Sequence, residues 1–127
     1  MDEEQQLFLE EVMDNYKNPR NKGEIENYTF KQHQKNISCG DVFDLFIRIE
    51  DNKIVDVKYS GEGCAISTAS FSMLSQELMK MSIDDAKKIN KDFILNMLGI
   101  KISSGKMNCA MLSLEALTNG LKGMDKA

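Results

Sequence analysis

Two periodicities divide this chain. From Val42 to Glu50 the apolar Phe43, Leu45, Ile47 and Ile49 alternate with Asp44, Arg48 and Glu50, the period of two that marks a half-buried strand. Asp51-Asn52-Lys53 reads as a turn, and Ile54 to Ser60 alternates again through Val55, Val57 and Tyr59. The pair predicts an antiparallel hairpin with one face in water. After Gly61-Glu62-Gly63 the period lengthens to about 3.6. Ile66, Ala69, Met73, Leu74, Leu78 and Met81 make one stripe, so a helix starts near Cys64 or Ala65. Ser82 with Asp85 resembles a capping box and opens a short helix. Phe93, Ile94, Met97 and Leu98 make a further helical patch ended by Gly99, and a final helix runs from about Met107 through Ala110, Leu114, Leu117 and Leu121. Ahead of the hairpin, Asp2 to Lys17 carries Leu7, Phe8, Val12, Met13 and Tyr16 at helical spacing, and Asn18-Pro19-Arg20-Asn21-Lys22-Gly23 stops it, since proline cannot continue a helix. The polar stretch up to about Ile37 alternates weakly at Tyr28 and Phe30, which predicts an irregular strand.

Composition adds bounds. The 127 residues suit one domain over 1–127, with no repeat or linker to split it. No apolar run approaches the ~20 residues of a membrane span. Met1-Asp2-Glu3-Glu4 is acidic where a secretory signal is basic and then apolar, so a cytoplasmic home is expected. A net charge of −4 argues against nucleic acid as a partner, because such binders need a basic face to displace counterions. Lys87, Lys88 and Lys91 read as a solvated helix face, and the nine methionines as core filler.

The three cysteines change the picture most. Singly, each is a small buried hydrophobe; three cannot all pair, and in a reducing compartment they are free thiols, metal ligands or redox groups. Cys39 and Asp41 flank Gly40 just before a strand, and in extended geometry residues two apart share a face. Cys64 sits at a strand-to-helix junction and Cys109 in the first turn of the last helix. Both meet the positive end of a helix dipole, which favours thiolate, and Lys106 adds to this at Cys109. Three thiols and a carboxylate match the count a tetrahedral metal or a small iron–sulfur cluster needs. Assembled from loop tips and helix starts, such a site lies near the surface, and one hard carboxylate among thiolates suits a site that opens. The paired C-x-x-C spacing of structural zinc sites is missing. His33, the only histidine, reads as a surface residue; a cysteine hydrolase using Cys64 with His33 is the different-class alternative, and it leaves Cys39, Asp41 and Cys109 without a role. Gly61-Glu62-Gly63 lacks the further residues of a phosphate loop.

Asn18-Pro19-Arg20-Asn21 after a first helix, Cys39-Gly40-Asp41, the run from Gly61 through Cys64, Ala69 and Ser70 to Met73, and Cys109-Ala110-x-Leu112 closely resemble the IscU/SufU/NifU N-terminal-domain family, in order and over almost the whole chain. The resemblance implies an α+β fold, a small sheet of about three antiparallel strands packed by several helices. It implies a scaffold that takes sulfur from a cysteine desulfurase, with iron, and builds a transferable [2Fe–2S] cluster for apo-proteins or carriers. It carries Cys39, Asp41, Cys64 and Cys109 over as ligands, of zinc in the same pocket as well as of the cluster, and Cys109 as the candidate persulfide acceptor. The runner-up is a SufU-like zinc-dependent sulfur acceptor, the one reading with an enzyme-like sulfurtransferase activity. Either role is compatible with a monomer or a weak dimer. Three departures matter. Asn108 stands where IscU-type members carry histidine. Only 45 positions separate Cys64 from Cys109, without SufU's insertion. Gly99-Ile100-Lys101-Ile102-Ser103 replaces the Leu-Pro-Pro-Val-Lys chaperone-docking motif.

Overall fold

Helix α1 (Glu3–Lys17) opens on a capping box: the Asp2 carboxylate accepts the Gln5 backbone N–H, and the Gln5 side chain accepts that of Asp2. The computed structural model describes residues 2–125. Past Pro19 the chain becomes a clasp. The Arg20 N–H donates to Ser72 Oγ at 2.9 Å, Asn21 Nδ2 to Ser75 Oγ at 3.0 Å, and the Gly23 N–H to the Tyr59 carbonyl at 2.8 Å. The loop that ends the first helix thus ties it to the sheet and to the central helix.

Three strands, β1 (Phe30–Asn36), β2 (Asp41–Glu50) and β3 (Lys53–Glu62), form an antiparallel sheet in the order β1-β2-β3. The predicted hairpin is β2–β3. The irregular strand expected before it is regular, paired without a break from Phe30↔Ile47 to Asn36↔Asp41. Its alternation looked weak because Gln34 and Asn36 face the last helix and the cysteines rather than aliphatic core. A β-bulge corrects the reading of β3. Arg48 pairs with Asp56 but Ile49 with Ile54, which leaves Val55 without a partner. The extra residue reverses the parity, so Ile54 joins Val57 and Tyr59 in the core while Val55 turns outward. The outer face is not uniformly wet either: Phe46 is buried there, with the Tyr28 ring edge-on at 5.8 Å and the Lys31 ammonium 5.4 Å from its centroid.

Helix α2 (Ala65–Leu78) is the centre of the molecule. Every residue from Ser67 to Ser75 is buried, so the single stripe predicted from sequence understates it: a helix enclosed by neighbours has no solvent face to keep polar. Its apolar side stacks Phe71 on Phe43 at 4.3 Å. Its serines make hydrogen bonds that buried hydroxyls require: Ser72 Oγ to Asn15 Oδ1 of α1 at 2.6 Å, and Ser70 Oγ to the Ala110 carbonyl at 2.9 Å and to Ser113 Oγ at 2.7 Å. Helix α3 (Ile83–Lys87) starts on Ser82, which accepts the Asp85 N–H as expected; α4 (Lys91–Leu98) ends on Gly99 at φ 67°. A 3-10 turn, Ser104–Lys106, leads into α5 (Met107–Asp125), which lies against β1 and α2.

Candidate metal centre

Strand β2, the N-terminus of α2 and the first turn of α5 meet at one end of the sheet. The turn Ile37–Gly40 joins β1 to β2 and is closed by the Cys39 N–H donating to the Asn36 carbonyl at 3.3 Å. Asp41 starts β2 on the same face as Phe43 and is completely buried. Cys64 caps α2: its backbone N–H donates to Asp41 Oδ1 at 2.8 Å, and its sulfur accepts the Ser67 N–H at 3.5 Å. Cys109, in the first turn of α5, is buried, with its sulfur 3.0 Å from that of Cys39 and 3.6 Å from Asn36 Nδ2.

The ligand atoms of Cys39, Asp41 and Cys109 all lie within 4.8 Å of one another. Three of the four residues singled out in the sequence therefore converge; the fourth, Cys64, adjoins them through the Asp41 bond with its sulfur engaged by Ser67. Asp41 Oδ2 is buried and has no hydrogen-bond partner among the described residues. A buried carboxylate oxygen left bare is costly, and a cation among these donors would satisfy it. The residues fit a thiophilic metal in both respects: soft sulfur donors in quorum and one anionic oxygen without a partner. All three thiols are free.

The electrostatics separate the thiols. Burial raises the pKa of Cys64, but the backbone N–H and hydroxyl of Ser67, with the Cys109 thiol, outweigh it, so the net shift is downward. At Cys109 burial pushes the thiol strongly up, and the neighbouring Cys39, Asp41 and Cys64 side chains act in the same direction. This reverses the expectation that the helix start and Lys106 would favour thiolate at Cys109. Lys106 is exposed and solvent-screened, while Cys109 lies among other acidic groups. Iodoacetamide should accordingly modify Cys64 of the reduced, metal-free protein at a lower pH than an ordinary thiol, and Cys109 last. Peptide mass mapping over a pH series reads the order, and equal rates at all three would contradict this arrangement.

His33 does not join the thiols. It pairs with Asp44 at 2.7 Å across the β1–β2 ladder on the outer face of the sheet, so the Cys64–His33 dyad of the hydrolase alternative is not formed. Asn108 is exposed. Sequence reasoning missed Asn36 and gave Ser67 no role. The strand parity that places Asn36 on the face of Phe30 was the available signal.

Comparison with known proteins agrees with this geometry. A family model described as the NifU-like N terminal domain matches residues 7–126. The iron-sulfur cluster assembly scaffold protein IscU 1 of Archaeoglobus fulgidus is 33% identical over 115 residues, covering 91% of this chain and 74% of its own length. The zinc-dependent sulfurtransferase SufU of Bacillus subtilis is also 33% identical, over 132 residues covering 91% of this chain and 89% of its own. A solved structure of a hypothetical protein superposes with a TM-score of 0.80 at 26% identity, over 92% of this chain and 98% of that one. With the match running from the first helix to the last, the chain belongs to the NifU-like N-terminal domain family.

Proposed function

We propose that this protein is an iron–sulfur cluster assembly scaffold, on which sulfur from a cysteine desulfurase and iron are joined into a labile [2Fe–2S] cluster that passes to apo-proteins or carriers. The observation that carries the reading is the buried Asp41 carboxylate, its Oδ2 without a hydrogen-bond partner among the described residues, set within 4.8 Å of the sulfurs of Cys39 and Cys109. The cluster is cargo, held by Cys39, Asp41, Cys64 and Cys109. Cys64 completes the set: its backbone N–H bonds Asp41 Oδ1, and its thiol already interacts with that of Cys109. Asp41 is the weak member, since carboxylate is a poorer partner than thiolate for iron–sulfide, and the edge of the set where it sits is the edge that releases.

Sulfur enters at Cys109. Once water reaches Cys109 and relieves the burial that keeps it protonated, its proton passes to solvent. The thiolate attacks the outer sulfur of the desulfurase persulfide, the S–S bond of that persulfide breaks, and the desulfurase cysteine leaves as thiolate, so one sulfane sulfur moves with no net oxidation. Because Cys109 is buried against Cys39, the Ile37–Gly40 turn has to swing out for this step. The protein acts as one domain and in the cytoplasm, where its thiols stay reduced.

A second reading, a zinc-dependent sulfur acceptor, is favoured by the equal identity to the Bacillus subtilis sulfurtransferase. The B. subtilis alignment runs longer than the stretch of this chain it covers, so that relative carries extra residues this chain lacks, which favours the scaffold.

Anaerobic reconstitution with ferrous iron, cysteine, a desulfurase and a thiol reductant, which supplies the two electrons that turn each sulfane sulfur into sulfide, tests both. Visible [2Fe–2S] absorption that moves to an apo-ferredoxin is the expected result, with persulfide on Cys109 by mass spectrometry after a single turnover. Persulfide on Cys64 alone overturns the acceptor assignment. Desulfurase stimulation that requires zinc, with no transferable cluster, overturns the scaffold in favour of the second reading.

A further inference from the structure

Asn36 joins three of the candidate ligands without being one. Its carbonyl accepts the Cys39 N–H at 3.3 Å and so closes the turn that carries Cys39. In the β1–β2 ladder it is the register partner of Asp41. Its side-chain Nδ2 donates to Cys109 Sγ at 3.6 Å, across to the far helix, a normal separation for a hydrogen bond to the larger sulfur atom. Gln34, the preceding inward side chain of β1, reaches no sulfur in this way and accepts from Asn119 Nδ2 of α5 at 3.1 Å instead.

From this geometry we infer that Asn36 is a positioning residue of the metal centre: its amide N–H holds the Cys109 sulfur in place and draws electron density from it when it is bound to metal. The inference rests on the metal-site reading above. An N–H directed at a ligand sulfur does two things. It fixes the lone pair that remains for the metal, and it stabilises the sulfur's filled orbitals, which alters metal affinity and the electronic properties of the site. Asn suits the task on both counts, because the amide offers a neutral donor and adds no charge to a site already rich in acidic groups. Aspartate in its place would present only acceptors to an anionic sulfur.

The test uses the full, reduced, metal-free chain, with Co2+ alone as spectroscopic probe and Zn2+ in competition. Three proteins are compared: the wild type, Asn36→Leu, which keeps the size and removes the donor, and Gln34→Leu, which breaks the neighbouring β1–α5 hydrogen bond without touching sulfur. The expected result is a sulfur-to-cobalt charge-transfer band in the wild type, and in Asn36→Leu a shift of that band to longer wavelength with Zn2+ affinity lowered about 10–100-fold, the usual effect of removing a partner behind a ligand. Gln34→Leu should leave both unchanged. If Asn36→Leu does not fold, as judged by circular dichroism, Asn36→Ala removes the donor with less bulk and should shift the band and lower Zn2+ affinity in the same directions. Unchanged band and affinity in the Asn36 variant overturn the inference, as do equal changes in the two leucine variants, which would show only a loosened strand. No charge-transfer band in the wild type overturns the metal-site reading itself and leaves a different signature from either of these.

Discussion

Asp41→Asn should melt higher than the wild type when both are free of metal, and should bind Zn2+ at least tenfold more weakly, a loss of about 1.4 kcal/mol or more. The two changes have one cause. Oδ1 of Asp41 already accepts the Cys64 N–H, and an asparagine oxygen can keep that bond. Oδ2 has no hydrogen-bond partner among the described residues; in asparagine an NH2 takes its place and gains the Cys109 sulfur as an acceptor, the Asp41 carboxylate and that sulfur lying within 4.8 Å of each other. Removing one bare buried polar atom is worth about 1–3 kcal/mol, roughly 4 °C per kcal/mol in a chain of this size. The same substitution deprives the metal of its only anionic oxygen. Thermal melts with chelator present, and Zn2+ competition against a chromophoric chelator, measure the two halves separately. An asparagine variant that melts at or below the wild-type temperature would mean the carboxylate is not a liability in the empty protein, and a cation at Oδ2 would lose its main support.

Gly61→Ala should cost about 3 kcal/mol or more, enough to unfold a marginally stable chain. Gly61 sits opposite Phe43 in the β2–β3 ladder with φ 121°, and a Cβ there would lie 2.1 Å from the Val42 carbonyl oxygen and 2.8 Å from the Phe43 Cα. Neither obstacle is a side chain that can swing aside. Backbone strain of roughly 1–3 kcal/mol adds to an overpacking cost of about the same size, and relief requires β2 and β3 to part beside Asp41. Gly40 supplies the control, since its φ of 72° is also left-handed but nothing lies within 4 Å of where its Cβ would stand. Gly40→Ala should lose only the conformational cost, about 1–2 kcal/mol. Urea denaturation of both variants decides the matter: similar losses would show that backbone conformation, not the close approach of the strands, sets the requirement at Gly61.

The elements were legible where one face of the chain met apolar core and the other met water. That holds for the β2–β3 hairpin, for α1 with its acidic start, and for the Ser82 and Gly99 punctuation. It failed at β1, α2 and Val55, for different reasons. β1 spends its inward positions on amides that serve α5 and the cysteines, so its alternation is polar against polar. α2 is enclosed from Ser67 to Ser75, and serine, ordinarily a surface residue, is buried there because α1 and α5 supply partners for its hydroxyls. The bulge at Val55 depends on pairing across the hairpin and has no local signature. In the site, convergence of Cys39, Asp41 and Cys109 followed from their neighbourhoods, since a thiol beside Gly-Asp at a strand start and a thiol at a helix start are unusual places to keep a core cysteine. What the sequence could not reveal was the balance of burial against helix dipole. That balance depends on how deeply α5 is seated, and it reverses the order of thiol acidity between Cys64 and Cys109.

The last helix has one more consequence, and it concerns time. Cys39, Asp41 and Cys64 belong to the sheet and its adjoining helix, but Cys109 comes 45 positions after Cys64, on an element that lies back against β1, the first strand made. At a synthesis rate of roughly 5–20 residues per second, a newborn chain carries the incomplete donor set for about 2–9 s before Cys109 leaves the ribosome. An ion that meets it in that interval finds two thiols and a carboxylate on a half-built surface, and is held weakly. Firm capture begins only after α5 docks. In the scaffold reading proposed above, loading would therefore follow completed folding rather than precede it.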